Sequence, residues 1–458
     1  MINVLPKNPL TYRWIILAVS FLLITITNGL TLGGLVVLDE KIIYSLSQIT
    51  GENVLIADLK LRDAITLWST AVFGFFVGVA ADKFSVKKLM VSGLLIFSAC
   101  FWQYSQAESL NQMYIIHVFM GLVLCISGML VNVILISRWF KNSRGLAIGI
   151  LLAGTSTGNG LFPQINTYLL TFGDWREVMT WLSFIPLFLI PFVLVFVKDG
   201  PEKLLQTDKE ATGQEIGEMY TEKKFIIHRL QKVLLMLWHE TKIIHLLLQR
   251  VLLMLWHETK VIVPTLKLKN FWLLSLMAFC TFYAILAMLG HVFLMMREEN
   301  YAPQVAATGL SIIFLGGFIG KVISGQLAEI FGRKKILLAG VGVMLMGSIF
   351  IVLALFYNNP YFVWIGLALY GSGWGSLYTL IQLLTVDLFG IIALGKIMGV
   401  INIFDTLGGG LGLFFTGYLY DQTQGYVIPF TLISVLLVIA FISSSMLKID
   451  DKEIQENR

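Results

Sequence analysis

Twelve apolar runs divide this 458-residue chain, each near the ~20 residues a helix needs to cross a ~30 Å hydrocarbon core. They fall near 14–38, 64–81, 89–107, 112–137, 145–170 and 177–197. After a long polar stretch, six more follow near 271–295, 305–328, 336–356, 361–386, 395–419 and 427–447. A bilayer core offers no water to satisfy stray amides, so such runs fold as helices. The pattern predicts an all-α membrane protein with twelve transmembrane helices in two six-helix bundles. The boundaries are a first bundle over 1–197, a linker over 198–270, a second bundle over 271–447 and a tail over 448–458. Charged residues are 13% of the chain, about half of the ~25% usual for soluble domains, and mean hydropathy is +0.80. Three cysteines exclude a disulfide scaffold, and 13% aromatic residues exclude a disordered chain. The run after Arg13 exceeds the ~7–15 residues of a signal-peptide core, so it reads as the first span.

Basic loops set the expected orientation. With the N-terminus inside, the inner loops hold Lys83, Lys87, Lys88, Arg138, Lys141, Arg144, Arg333, Lys334, Lys335 and Lys396. The outer loops hold only Lys41, Lys60, Arg62, Arg176 and Arg297. This asymmetry predicts both termini on the cytoplasmic side of a multi-pass membrane protein. The net charge of +5 is scattered in small clusters and does not point to nucleic acid.

The two halves carry a related stretch. Gly78-Val-Ala-Ala-Asp82-Lys83-Phe84-Ser85-Val86-Lys87-Lys88 ends the second span, and Gly325-Gln-Leu-Ala-Glu329-Ile330-Phe331-Gly332-Arg333-Lys334-Lys335 ends the eighth. A small residue lets helices approach, an acid at the membrane edge accepts hydrogen bonds or pairs with a cation, and the lysines suit inner-leaflet headgroups. Simple positive-inside anchoring explains the lysines equally well, but not a glycine and an acid recurring at matching places. Such repeats mark secondary transporters whose halves rock about a midplane site.

This pattern resembles the loop signature of the major facilitator superfamily, Gly-x3-Asp-Arg/Lys-x-Gly-x-Arg/Lys-Arg/Lys. The first copy has Ser85 in place of glycine, and the second has Glu329 and Ile330. A second stretch, Trp139-Phe140-Lys141-Asn142-Ser143-Arg144-Gly145-Leu146-Ala147-Ile148-Gly149 with Ala153, Gly154 and Gly158, is similar to the signature of monocarboxylate porters and oxalate/formate-type exchangers. Its glycines at four-residue spacing predict smooth faces for tight packing.

Two ionisable residues lie at bilayer depth, where they cost several kcal/mol and face a cavity as a rule. Lys321 occupies the place at which porters of this branch carry a substrate-binding arginine, and Gly317 stands where they carry an acid. Asp405 lies in the eleventh span. The expectation is that Lys321 and Asp405 pair in the empty carrier, that a substrate carboxylate competes for the ammonium, and that protonation of Asp405 releases Lys321. The plain alternatives are a snorkelling lysine and a structural aspartate. Further candidates, on spans that the superfamily places around its cavity, are Asn28, Thr31, Asn132, Tyr283, His291, Tyr370, Trp374, Tyr378 and Gln382, with Asn159 and Gln164 flanking Pro163. His117 and His291 fall near outer helix ends, and the sequence assigns neither a relay role.

Within the linker, Gln231–Lys242 recurs as Gln249–Lys260, a period of five helical turns. It reads as an interfacial helix with Trp238 and Trp256 at headgroup level, or as a duplication tolerated in a loop. The function expected is secondary transport of a small organic anion by alternating access, coupled to protons or by exchange. The rivals are a neutral metabolite or drug/proton exchanger of the same fold and a non-transporting sensor. No nucleotide loop, zinc-type cluster or Ser-His-Asp set is evident, so no enzyme, cofactor or metal site is expected.

Overall fold

The computed structural model describes residues 9–140, 143–201, 265–357, 359–389 and 394–448. The tandem repeat of the linker lies outside them. Among the described residues every regular element is helical. The first rod begins with α1 (Pro9–Asn28) and runs through a π turn (Gly29–Gly34) and a 3-10 turn (Leu35–Leu38) into α2 (Asp39–Thr50). It is therefore longer than the 14–38 expected. The glycines permit the irregular middle: a Cβ on Gly33 would lie 2.7 Å from the Cα of Asn159. Gly51, at φ +72°, stops the rod in a backbone region that side chains disfavour.

Next come α3 (Ile56–Lys83), α4 (Val86–Ser105), α5 (Leu110–Ile126), α6 (Met129–Trp139), α7 (Arg144–Leu169) and α8 (Trp175–Phe196). The second half holds α9 (Lys269–Glu298), α10 (Pro303–Phe331), α11 (Arg333–Tyr357), α12 (Pro360–Phe389), α13 (Leu394–Thr423) and α14 (Val427–Met446). Ten rods among the described residues are long and apolar enough to cross a membrane, the first being α1 to α2 and another α5 with α6. Helices α3 and α12, of 28 and 30 residues, have the length for the remaining two.

The fourth span is broken rather than continuous. Asn132 fills the break, its Nδ2 donating to the carbonyls of Ser127 at 2.9 Å and Gly128 at 2.7 Å. This side chain thus satisfies backbone that the interruption frees, and it does not line the central cavity described below.

Packing repeats the internal symmetry. In span order, 1 packs on 5, 2 on 4 and 3 on 6 (α1·α7, α3·α5, α4·α8). The second half repeats this as 7 on 11, 8 on 10 and 9 on 12 (α9·α13, α10·α12, α11·α14). The halves then meet through span 2 on 11 and span 5 on 8, which the same symmetry interchanges (α3·α13, α7·α10). Two pseudo-symmetric six-helix bundles result. Matching glycines hold matching pairs close. A Cβ on Gly158 of α7 would lie 1.9 Å from the Thr25 carbonyl oxygen of α1, and one on Gly408 of α13 would lie 2.3 Å from that of Phe279 on α9.

The expected outer-loop cations Lys60 and Arg62 are instead fully buried within α3. Leu55-Ile56-Ala57 and Leu59 bring the helix in earlier than hydropathy alone indicates, and an acid on α2 receives both cations.

Candidate functional site

A cavity of about 640 Å³ lies between the halves. Its walls come from the first rod between Asn28 and Val36, α3, α7, α9 and α10, with Met129 of α6, Trp374 of α12 and Leu413 of α13. Phe282, Ile285, Leu286, Leu310, Phe314 and Phe318 make most of it apolar, and two of its lining residues are charged, Asp63 and Lys321.

Lys321 is held across the contact between halves. Its Nζ donates to Ser156 Oγ at 3.0 Å and lies 5.4 Å from the centroid of the Trp374 ring. Trp374 in turn meets Phe314 edge-on at 5.3 Å. A Cβ on Gly317 would fall 2.7 Å from the Trp374 ring, so the bare glycine makes room for an aromatic wall. Among the described residues, no carboxylate pairs with Lys321 within salt-bridge distance.

Lys321, Asn28, Asn159 and Trp374 line the cavity together. Asn28 Nδ2 donates to the Ile24 carbonyl at 3.3 Å, and the buried Oδ1 of Asn159 has no hydrogen-bond partner among the described residues. Other expected residues lie elsewhere. Asp405 is 7% exposed and outside the cavity lining, its Oδ1 has no partner among the described residues, and it forms no ion pair with Lys321. Depth along a helix does not fix which face a residue takes, and Asp405 shares α13 with glycines packed on α9. Tyr283 is buried against α13, its hydroxyl 3.4 Å from Thr416 Oγ1. Tyr370 is fully buried beside Gly347, its hydroxyl without a partner among the described residues. The side chains of Gln382 and Tyr378 lie outside the described residues.

The sequence reading missed a second set of polar groups, at the far end of the cavity. Asp39 of α2 bonds both Lys60 and Arg62, each carboxylate oxygen taking one cation. Arg62 also donates through Nη1 to the Tyr104 hydroxyl. Asp63 sits 3.3 Å from Arg62 Nε, 3.7 Å from Lys60 Nζ and 3.9 Å from His117 Nδ1. Thr66 Oγ1 lies 2.7 Å from the same His117 nitrogen. Asp39, Lys60, Arg62, Tyr104 and His117 are fully buried, whereas Asp63 is 12% exposed and reaches the cavity wall. The i, i+3 pair Lys60/Asp63 was a readable signal of helix rather than loop.

Contacts between the halves run from Lys321 toward this cluster. Gln164 Nε2 donates to Thr308 at 3.1 Å and Ser311 at 3.3 Å, and Ser311 donates to the Gly160 carbonyl at 2.6 Å. The Asp421 carboxylate accepts from the Ile56 and Ala57 amides, capping the N-terminus of α3 from the other half. Arg297 grips Glu40 with two bonds, at 2.8 and 3.1 Å. At the opposite, basic-loop end the halves stand apart. Among the described residues, a Cβ on Gly78, Gly145, Gly149, Gly325 or Gly399 would meet nothing within 4 Å.

This corrects the expected close approach at the motif glycines Gly78 and Gly325, and the expected tight face through Gly145 and Gly149. Only Gly154 and Gly158 of that signature pack closely, both against α1. The cations of the second copy tie helices within their own half instead. Arg333 pairs with Asp387, and Lys334 Nζ donates to the Ser445 and Leu447 carbonyls at 2.8 and 2.6 Å. Gly332, at φ +91°, turns the chain between α10 and α11. The Lys87 backbone amide donates to Asp199 at 3.0 Å, while Lys88 and Glu329 are exposed. The side chains of Asp82 and Lys83 lie outside the described residues.

The profile of the Major Facilitator Superfamily matches residues 17–413. An uncharacterized MFS-type transporter of Bacillus subtilis, YcxA, is 28% identical over 151 residues, covering 32% of this chain and 37% of its own. The MFS-type transporter pynF of Aspergillus niger is 25% identical over 169 residues, 36% of this chain and 37% of its own. The chain thus spans little more than a third of the length of these two. The sialic acid transporter NanX of Escherichia coli is 23% identical over 326 residues, covering 70% of this chain and 68% of its own. Among solved structures, a bacterial homolog of the human lysosomal transporter Spinster aligns over 98% of both chains, with a TM-score of 0.64 and 14% identity. With its twelve spans, interchanged half-to-half contacts and a profile match across nearly the whole chain, this protein belongs to the major facilitator superfamily.

Proposed function

We propose that the protein is a secondary transporter that carries an organic monoanion by alternating access, on the monocarboxylate-porter pattern. One observation carries the reading: the Lys321 ammonium projects into a central cavity with a neutral hydroxyl and an aromatic ring as its partners. A carboxylate is a stronger acceptor than serine, so a substrate anion takes the ammonium from Ser156. The side chains of Asn28 and Asn159 add polar groups to the lining, and the phenylalanine and leucine walls suit an apolar body. One available cation favours a monoanion over a dianion such as oxalate. The similarity to a transporter named for sialic acid, itself an acid, supports the substrate charge.

The basic loops orient the chain with both termini and the 198–270 linker in the cytoplasm, so the cavity faces inward here. The test is uptake into proteoliposomes of monocarboxylates with bodies graded from pyruvate to phenylpyruvate, alongside oxalate. Removing the one charge-assisted bond in Lys321→Ala lowers uptake about 10- to 100-fold, with Lys321→Arg retaining part of it. Uptake indifferent to Lys321→Ala, or confined to neutral compounds, would sink the reading in favour of a neutral-solute exchanger.

A further inference from the structure

Helices α7 and α10 face each other along a seam, and they touch over only part of its length. From Ser156 outward they are joined, by Lys321 to Ser156, Ser311 to Gly160 and Gln164 to Thr308. Toward the basic-loop end they part, and a Cβ on Gly149 of α7 or Gly325 of α10 would meet nothing within 4 Å among the described residues. The parted faces are apolar. Leu146, Gly149 and Ile150 on α7, with Phe318 and Val322 on α10, line the cavity and are also exposed, Leu146 at 63% and Val322 at 54%. Lys321 stands at the head of this fissure, where the joined part begins.

The symmetry-related seam, between α3 and α13, differs. Gly149 lies nine residues before Gly158, and Gly399 nine before its counterpart Gly408, so the two occupy matching places on α7 and α13. Neither has a close neighbour, yet of the pair Gly149 alone lines the cavity. On α3 and α13 the lining residues are Asp63, Thr66, Leu67 and Leu413, all toward the joined end. The sequence also differs at the mouths, since Lys396 on α13 is the counterpart of Leu146. Repacking of apolar faces when the inner end shuts explains an apolar seam. It does not explain a cavity that runs out along one seam of two, with a cation at its head.

We propose that the substrate is a long-chain carboxylate, its head held by Lys321 and its acyl tail lying in the α7–α10 seam beside the lipid chains, which rests on the anion-transport reading above. From Ser156 to Leu146 the seam runs ~15 Å at the helical rise, about the length of an extended chain of a dozen carbons. The tail leaves hydrocarbon for apolar walls without crossing water, and the ammonium supplies the charge-assisted bond that selects the anion. Arg144, exposed at the start of α7, marks the mouth of the seam at headgroup level.

The test uses dodecanoate carrying a photoreactive diazirine at its distal end, with the full chain in phosphatidylcholine nanodiscs. Adducts should map to 146–150 of α7 and 322–326 of α10, disappear in Lys321→Ala, and be competed by dodecanoate but not by dodecanol. Adducts at Leu286 or Leu289, which place the tail inside the central cavity, overturn the proposal. So does labelling spread over all lipid-facing helices and indifferent to competitor. Filling the seam gives a second reading. Gly149→Phe should weaken dodecanoate binding about tenfold more than butyrate binding, because each displaced methylene forfeits its burial. Gly399→Phe, at the matching place on the other seam, should leave both at the wild-type level. An equal loss for both chain lengths, or the same effect from Gly399→Phe, also overturns the proposal. Short carboxylates bound through Lys321 with no dodecanoate site refute the seam and leave the anion reading standing, whereas no carboxylate bound at any length refutes both.

Discussion

Asp39 holds two buried cations at once, so its loss is unlike that of an ordinary surface acid. Asp39→Ala leaves Lys60 and Arg62 to share the one carboxylate of Asp63, and breaking a buried pair from one side costs about 3–5 kcal/mol. Thermal unfolding of the detergent-solubilised protein should show a clear loss of stability, while Glu329→Ala, at an exposed position, changes little. At this scale the sequence was half legible. Lys321 could be found because depth and a neighbouring motif coincide in one residue. Asp405 satisfied the depth criterion alone, and azimuth turned it away from the cavity. Lys60, Arg62 and Asp63 escaped because their charges look like a loop until Asp39, brought by a different rod, is set against them.

The porter-like signature shows how one element divides its tasks. Along α7, Gly158 lies against the Thr25 carbonyl while Gly149 faces the cavity with free space around it. Gly158→Val should therefore prevent tight α1–α7 packing, at about 1–3 kcal/mol or more, and reduce the yield of monodisperse protein on size exclusion. Gly149→Val should fold normally and impair uptake of bulky substrates more than of small ones. Span number and placement were readable from hydropathy, since the bilayer imposes one length on every helix. The breaks in the first and fourth rods were not. Hydropathy is blind to an asparagine that replaces missing backbone bonds, as Asn132 does, and to glycines that admit a π turn.

Taken whole, the molecule is joined at one end and parted at the other. The Glu40–Arg297 bridge spans the halves at the joined end. With Cys100, Cys125 and Cys280 replaced, cysteines at 40 and 297 joined by a short bifunctional reagent should abolish transport. A cysteine at Ala153, on the cavity wall, should stay open to thiol reagents from the basic-loop side. Labelling lost together with transport would instead mean that the joined end is not the shut one. The repeat of the six-helix unit was legible in the paired motifs. The interchange of contacts, second span on eleventh and fifth on eighth, needed three dimensions, because no motif marks both partners.

The bond from Lys321 to Ser156 also has a kinetic meaning. It joins α10 to α7, helices of opposite halves, so an anion that takes over the ammonium removes one rivet from the seam as it settles. Part of the binding energy then goes into loosening the machine rather than into affinity. Replacing the rivet's passive side, with Ser156→Ala, should speed turnover at saturating cargo and erode the difference in mobility between the loaded and unloaded carrier.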